Sequence, residues 1–167
     1  MKKSIYSRCL IITMLVMGCN SSQPKAEELI GKHTFELLQK MNDLSQEEFN
    51  TYFLSLNELR EFAKDTTIED TFRNAVTNVS KEVHAIRLQQ SYEMIQESGK
   101  RYKIDWKAIT FREYPYTIRD ESGISFQDGF VAFDHNEKKF VTKIVSITFK
   151  GKQRLFNLSN IEPVRKQ

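Results

Sequence analysis

Apolar and polar positions follow three rhythms along this chain. The first is a plain run: after Lys2, Lys3 and Arg8 come nine mostly apolar residues, Cys9 to Met17, and polar Asn20-Ser21-Ser22-Gln23-Pro24 closes it. A membrane-spanning helix needs roughly 20 apolar residues, so the run has the length of an export signal rather than of a spanning anchor. The second rhythm, from Ala26 to Ser98, is helical, and the third, from Tyr102 to Ile161, is mainly alternating.

In the helical half, Leu29, Ile30, Leu37, Leu38 and Met41 form a stripe that predicts a helix from Ala26 to about Asn42. Ser45-Gln46-Glu47-Glu48 has the form of a capping box, with Ser45 accepting from the Glu48 amide and the Glu48 carboxylate reaching back. It predicts a second helix whose apolar face is Phe49, Tyr52, Phe53, Leu56, Leu59, Phe62 and Ala63. Asp65-Thr66-Thr67 breaks that run. A third helical region spans about Ile68 to Ser98, interrupted near Asn78-Val79-Ser80, with Gly99 as its C-terminal cap.

The alternating half predicts an antiparallel meander. Ile104, Trp106 and Ala108 share one parity and Ile109 and Phe111 the other, which places a bulge at Ala108-Ile109 in the first strand. Tyr114-Pro115-Tyr116 interrupts the ladder again, because Pro115 has no N–H to give. A turn at Glu121-Ser122-Gly123 precedes a strand from Ile124 to Asp134, and a polar loop, Asp134 to Glu137, precedes another from Lys139 to Phe149. Lys150-Gly151 is a two-residue hairpin turn, and a last strand runs from Gln153 to about Ile161.

Helices first and strands afterwards predict an α+β fold, with the N-terminal helices packed on one face of a curved antiparallel sheet of about four strands. In element order, residues 26 to 161 resemble the cystatin-like and nuclear-transport-factor-like group. That resemblance implies a sheet wrapped around helices and a conical pocket between them. It rests on no specific motif, and such folds host enzymes, binding modules and scaffolds alike.

The end of the leader carries a more specific resemblance. Val16-Met17-Gly18-Cys19 is similar to the lipobox of bacterial lipoproteins, with a small residue before the cysteine and an aliphatic one three before it; Met17 departs slightly from the usual pattern. The resemblance implies that the Cys19 thiol receives a diacylglycerol, that residues 1–18 are removed as a signal peptide, and that the acylated chain is held in a bacterial membrane. Several acyl chains meet the requirement of stable anchoring for more than one lipid. Residues 19–25 would then be a short lipidated tether, and Asn20, where aspartate favours inner-membrane retention in enteric bacteria, points to the outer membrane. An ordinary secretory signal that happens to contain a cysteine, or an uncleaved apolar terminus, is the other reading of the same segment.

Removing the leader changes the composition. It leaves 149 of 167 residues, the size of one domain, 26–167 beyond the tether. Cys9 departs and Cys19 is lipidated, so no thiol remains for a disulfide and the domain stands on its core alone. The formal charge of +3 belongs entirely to Lys2, Lys3 and Arg8, and the remainder has 22 basic and 22 acidic residues. A basic pI therefore argues for no nucleic-acid partner. The balance is uneven along the chain: residues 19–98 carry 8 bases against 14 acids, and residues 99–167 carry 14 against 8.

Candidate chemistry is sparse. His33, His84 and His135 stand apart in sequence, and no phosphate loop, dinucleotide glycine motif, nucleophile elbow or zinc-protease helix occurs, so no metal or cofactor is expected. His84 lies between Val83 and Ile86 on a helical stretch. Turned toward the sheet, it could meet Asp105, Tyr114 or Tyr116 across a pocket walled by Trp106, and act as a base with an acid to orient it. A surface or satisfied interior histidine is the plainer reading. Trp106, Phe111, Tyr114, Tyr116, Phe126, Phe130 and Phe133 are candidates for an apolar or sugar pocket, or simply for the core. Lys138, Lys139, Lys143, Lys150, Lys152 and Arg154 are candidates for a positive face toward anionic headgroups, or for a solvated edge. Two functions follow: a lipid-anchored, non-catalytic binding or interaction module of the cell envelope, or a small hydrolase-like or isomerase-like envelope enzyme built around His84.

Overall fold

The computed structural model of the chain describes residues 26–164, with side chains from residue 29 onward. The helices are α1 (Ala26–Gln39), α2 (Gln46–Asn50), α3 (Leu56–Phe62), α4 (Asp70–Thr77) and α5 (Lys81–Tyr102). A 3-10 turn, Trp106–Ala108, leads to β1 (Thr110–Glu113), β2 (Tyr116–Glu121), β3 (Ile124–His135), β4 (Lys138–Phe149) and β5 (Lys152–Pro163). The class is α+β, with helices packed against an open antiparallel sheet. β1 and β2 both pair with β3 and are successive pieces of one edge, so the sheet runs from β1 and β2 through β3 and β4 to β5. The break between them falls at Pro115, which is why the strand count is five rather than about four.

Local chemistry explains most boundaries. The Ser45 box forms as expected, the Glu48 N–H donating to Ser45 Oγ at 3.2 Å and the Ser45 N–H to Glu48 Oε2 at 2.9 Å. An equivalent box forms at Ser55 and Glu58, at 2.8 and 3.2 Å, and it divides the expected second helix into α2 and α3. All three two-residue hairpin loops, Ser122-Gly123, Asn136-Glu137 and Lys150-Gly151, have both residues at positive φ, the backbone that matches the twist of the strands they join.

Two further expectations are corrected. Ile104 to Ala108 is not a strand: Asp105 caps the 3-10 turn by accepting from the Lys107 N–H at 3.1 Å, and the turn delivers Trp106 into the core. Gly99 is not the cap of α5. The helix continues to Tyr102 and closes at Lys103, φ 54°, with the Ile104 N–H donating to the Gly99 carbonyl at 2.8 Å. Gly99 is glycine because the Trp106 indole lies against it, 2.6 Å from where a Cβ would stand.

The sheet is covered on both faces, not on one. Val131 and Phe133 of β3, Phe140 and Ile144 of β4, and Leu155, Leu158 and Ile161 of β5 meet α1, Phe49 of α2 and Ile95 of α5. Ile124 and Phe126 of β3, with Ile147 and Phe149 of β4, point the opposite way and meet Leu59 of α3 and Val76 of α4. The chain passes from the first core to the second around the β5 edge. There the Leu54 N–H donates to the Leu155 carbonyl at 2.9 Å, and Arg154 Nη2 donates to the Phe53 carbonyl at 2.8 Å. Farther along the same edge, the Ile161 N–H donates to the buried Ser98 Oγ of α5 at 3.2 Å. Chain and helix together thus occupy edge groups that would otherwise invite another strand.

The Gly99–Trp106 contact gives a direct test. Gly99→Ala must displace the indole or the helix, and overpacking of this kind costs about 1–3 kcal/mol. The urea midpoint should fall, and emission from Trp106, the single tryptophan of the chain, should shift to the red. An unchanged midpoint and spectrum would show that the indole is not seated on Gly99.

Candidate functional site

α5 is buried unevenly. In its C-terminal half Ser91, Ile95, Ser98 and Gly99 are buried, whereas among residues 81–90 all but His84 and Leu88 are exposed. The exposed half stands off the α3–α4 face of the sheet and walls a cleft of about 570 Å³. Its floor is apolar, made by Phe126, Val145 and Phe156 of the sheet with Phe72 of α4 and Leu54 and Leu59 of the edge crossing and α3. Phe156 enters it because β5 bulges where Leu155 pairs Ser146 and Asn157 pairs Val145. The helix contributes His84, Arg87, Leu88, Gln90, Ser91 and Met94.

The cleft is amphipathic. Phe156 and Met94 remain 39% and 38% exposed, so its apolar lining is open to solvent. Arg119 lies over the Phe126 ring, 4.8 Å from its centroid, and is matched by Asp128 at 2.9 Å and by a short contact to Glu121. Arg87 has neither a hydrogen bond nor an ion pair among the described residues. Burial, and then the Arg87 guanidinium, hold the His84 pKa below its ordinary 6.5, so the neutral imidazole is favoured there.

The anticipated site does not assemble. From His84 to the end of α5 the helix rises about 27 Å, and Asp105 follows that end. Asp105 is committed as the 3-10 cap, while its own N–H donates to Nε2 of buried His135 at 3.1 Å. Trp106 is 2% exposed and belongs to the α1-side core. Tyr114 and Tyr116 do come together, stacked with ring centroids 5.5 Å apart, but the Tyr114 ring is wedged between Gly31 of α1 and Gly129 of β3, on the face away from the cleft. Burial pushes the Tyr114 phenol well above its ordinary value, with Tyr116 adding to the shift and the Ser146 hydroxyl opposing it. Of the aromatic candidates, Phe126 alone lines the cleft, and Trp106 and Phe133 are core.

Four of the six basic candidates are paired with acids, and Lys138 and Lys152 have no ion pair among the described residues. Lys139 pairs with Glu113 at 2.5 Å, Lys143 with Asp128 at 3.7 Å, Lys150 with Glu61 at 2.7 Å and Arg154 with Glu58 at 3.4 Å. Among the described residues no three His, Cys, Asp or Glu side chains gather as a metal would require, and no helix is long and apolar enough to cross a membrane. Cys19, the leader and the tether lie outside the described residues, as do Arg165 and Lys166. No family model, curated protein or solved structure matches the chain.

Sequence reasoning singled out His84 but missed Arg87, Ser91, Met94 and Phe156. The available signal was the α5 stripe of Val83, Ile86 and Met94, which stays exposed at 43, 51 and 38% and is not absorbed by either core.

The lowered His84 pKa has a definite sign. The folded chain binds that proton less readily than the unfolded chain, so stability is retained above pH 6.5 and lost as pH falls through 6.5 toward the folded value. Proton NMR of the His84 ring should titrate below 6.5, and His84→Gln should flatten the acid limb of the stability profile. A midpoint at or above 6.5 would place the ring in open solvent or beside an acid.

Proposed function

We propose that this protein is a binding module held by lipid at Cys19 on a bacterial envelope membrane, and that it takes its ligand or partner in the cleft between α5 and the α3–α4 face of the sheet. The single observation that supports this reading most is the open apolar lining of that cleft, with Phe156 and Met94 left more than one-third exposed beside polar α5 side chains. Such a mixture of apolar wall and few polar groups, in about 300–1,000 Å³, is the usual form of a ligand site. Binding without catalysis is the better reading because His84 faces no acid free to orient it: Glu121 lines the same cleft but is joined to Arg119. The leader supports membrane attachment through Lys2, Lys3 and Arg8, the short apolar run, and Gly18-Cys19. Asn20 favours the outer membrane as its place.

The two parts of the proposal separate experimentally. Cys19→Ser should leave the protein unprocessed and without labelled fatty acid; membrane fractionation and labelling equal to wild type would sink the anchor. For the cleft, the uncharged dye Nile red should bind the folded full chain with a blue-shifted emission, and Phe156→Asp should abolish most of the signal while far-UV circular dichroism stays the same. Dye binding indifferent to Phe156→Asp would remove the cleft from consideration.

A further inference from the structure

The polar groups on the cleft wall are arranged in order along one side of α5. Arg87 and Ser91 stand one turn apart on the same helix face, and Met94 follows on that side, about 10 Å along the axis from Arg87. Ser91 is only 7% exposed, lines the cleft, and its hydroxyl has no hydrogen-bond partner among the described residues. The Ser91 Oγ is not among the buried side-chain atoms left without a partner, so it is open to the cleft, whereas the Ser98 hydroxyl is held by the Met94 carbonyl at 2.8 Å. Arg87 beside it likewise lacks a carboxylate. The other cleft cation, Arg119, is already neutralised by Glu121 and Asp128. The cleft lining therefore combines a guanidinium and a hydroxyl on α5 with the apolar side chains of Phe72, Phe126, Phe156 and Met94.

Resting on the binding-module reading, we propose that the cleft binds an amphipathic carboxylate with a long apolar chain, its head accepting from Arg87 and Ser91 and its chain lying against Met94, Phe156 and Phe126. The head is an acceptor, because the Arg87 guanidinium can only donate and the Ser91 hydroxyl can donate to the same group. An anion gains a charge-assisted bond from Arg87 that a neutral ester or alcohol cannot make. A planar carboxylate matches the guanidinium fork, and a single negative charge matches the one arginine of the cleft lining that has no ion pair among the described residues. The chain covers the apolar surface that Phe156 and Met94 leave open. The thinly packed first turns of α5, held through His84 and Leu88, can settle onto it.

The test uses the full chain carrying Cys19→Ser, so that no attached lipid competes, titrated by calorimetry with laurate, dodecanol and dodecyltrimethylammonium, each below its micellar concentration. Laurate should bind about ten- to a hundredfold tighter than dodecanol, the worth of a charge-assisted hydrogen bond, and the cationic amphiphile should bind least. Arg87→Gln should bring laurate down to dodecanol, Ser91→Ala should weaken laurate alone by about tenfold or less, and Phe156→Asp should weaken both. Met94→Lys, at an exposed helical position, gives the last readout if Phe156→Asp does not fold. Equal affinity for laurate and dodecanol, or a laurate preference that survives Arg87→Gln, overturns the carboxylate assignment. Absence of laurate binding with Nile red binding intact overturns it as well, while leaving the cleft as an apolar site. Absence of both removes the binding-module reading with it.

Discussion

The layering of this fold follows from a change of apolar parity halfway along β3 and β4, two of its three twelve-residue strands. In β3 the buried apolar residues are Ile124 and Phe126 at one end and Val131 and Phe133 at the other; in β4 they are Phe140 and Ile144, then Ile147 and Phe149. Side chains alternate between faces, so each strand offers one face to a core at one end and the opposite face at the other end. No single layer of helices can bury both. The chain answers by placing α1 and α2 on one face, carrying Phe53 and Leu54 around the β5 edge, and placing α3 and α4 on the other. The two remaining quadrants are more polar, although Gln127 and Ser146 are buried on one and Phe130 stands 46% exposed on the other. Ser125, Ser146, Thr148 and Gln153 stand on one, and the Arg112–Asp134 and Lys139–Glu113 pairs cross the other. The expectation of helices on one face failed because it took the alternation in each strand as a single phase, although the phase shift is visible in Phe130-Val131 and in Ile144-Val145.

What could be read directly from sequence was whatever short-range chemistry decides. The Ser45 capping box, the break at Asn78-Val79-Ser80, the interruption at Pro115 and the Lys150-Gly151 turn each involve a few adjacent residues, and all appear where expected. Misreadings arose where a distant contact decides. One continuous apolar face from Phe49 to Ala63 suits one helix, but the β5 edge takes Phe53 and Leu54 out of it, and the Ser55 box restarts the helix beyond. Gly99 has the composition of a cap and the position of a packing contact, and only the indole of Trp106 distinguishes them. The site was least legible for the same reason. His84 and Asp105 are close in number, yet the intervening helix is rigid and holds them at opposite ends, while Arg119 and Phe156 reach the cleft from strands far along the chain.

The opposite charges of the two halves of the chain also acquire a physical meaning. Lys107 meets Asp43, Lys150 meets Glu61 and Arg154 meets Glu58, each a base of the strand half on an acid of the helix half. Exposed pairs of this kind contribute only about 0–1 kcal/mol each, so they do not hold the fold together. Their effect is on recognition. Part of the charge that might have formed a broad basic surface is thereby cancelled locally. Within the cleft, Arg119 is matched by Glu121 and Asp128, while Arg87 has no ion pair among the described residues. Arg87 stands on the exposed first turns of α5, one turn from the Ser91 hydroxyl. On the proposed binding reading, selection among ligands depends on the fit of head to Arg87 and of chain to Phe156 and Met94 more than on the overall field of the protein.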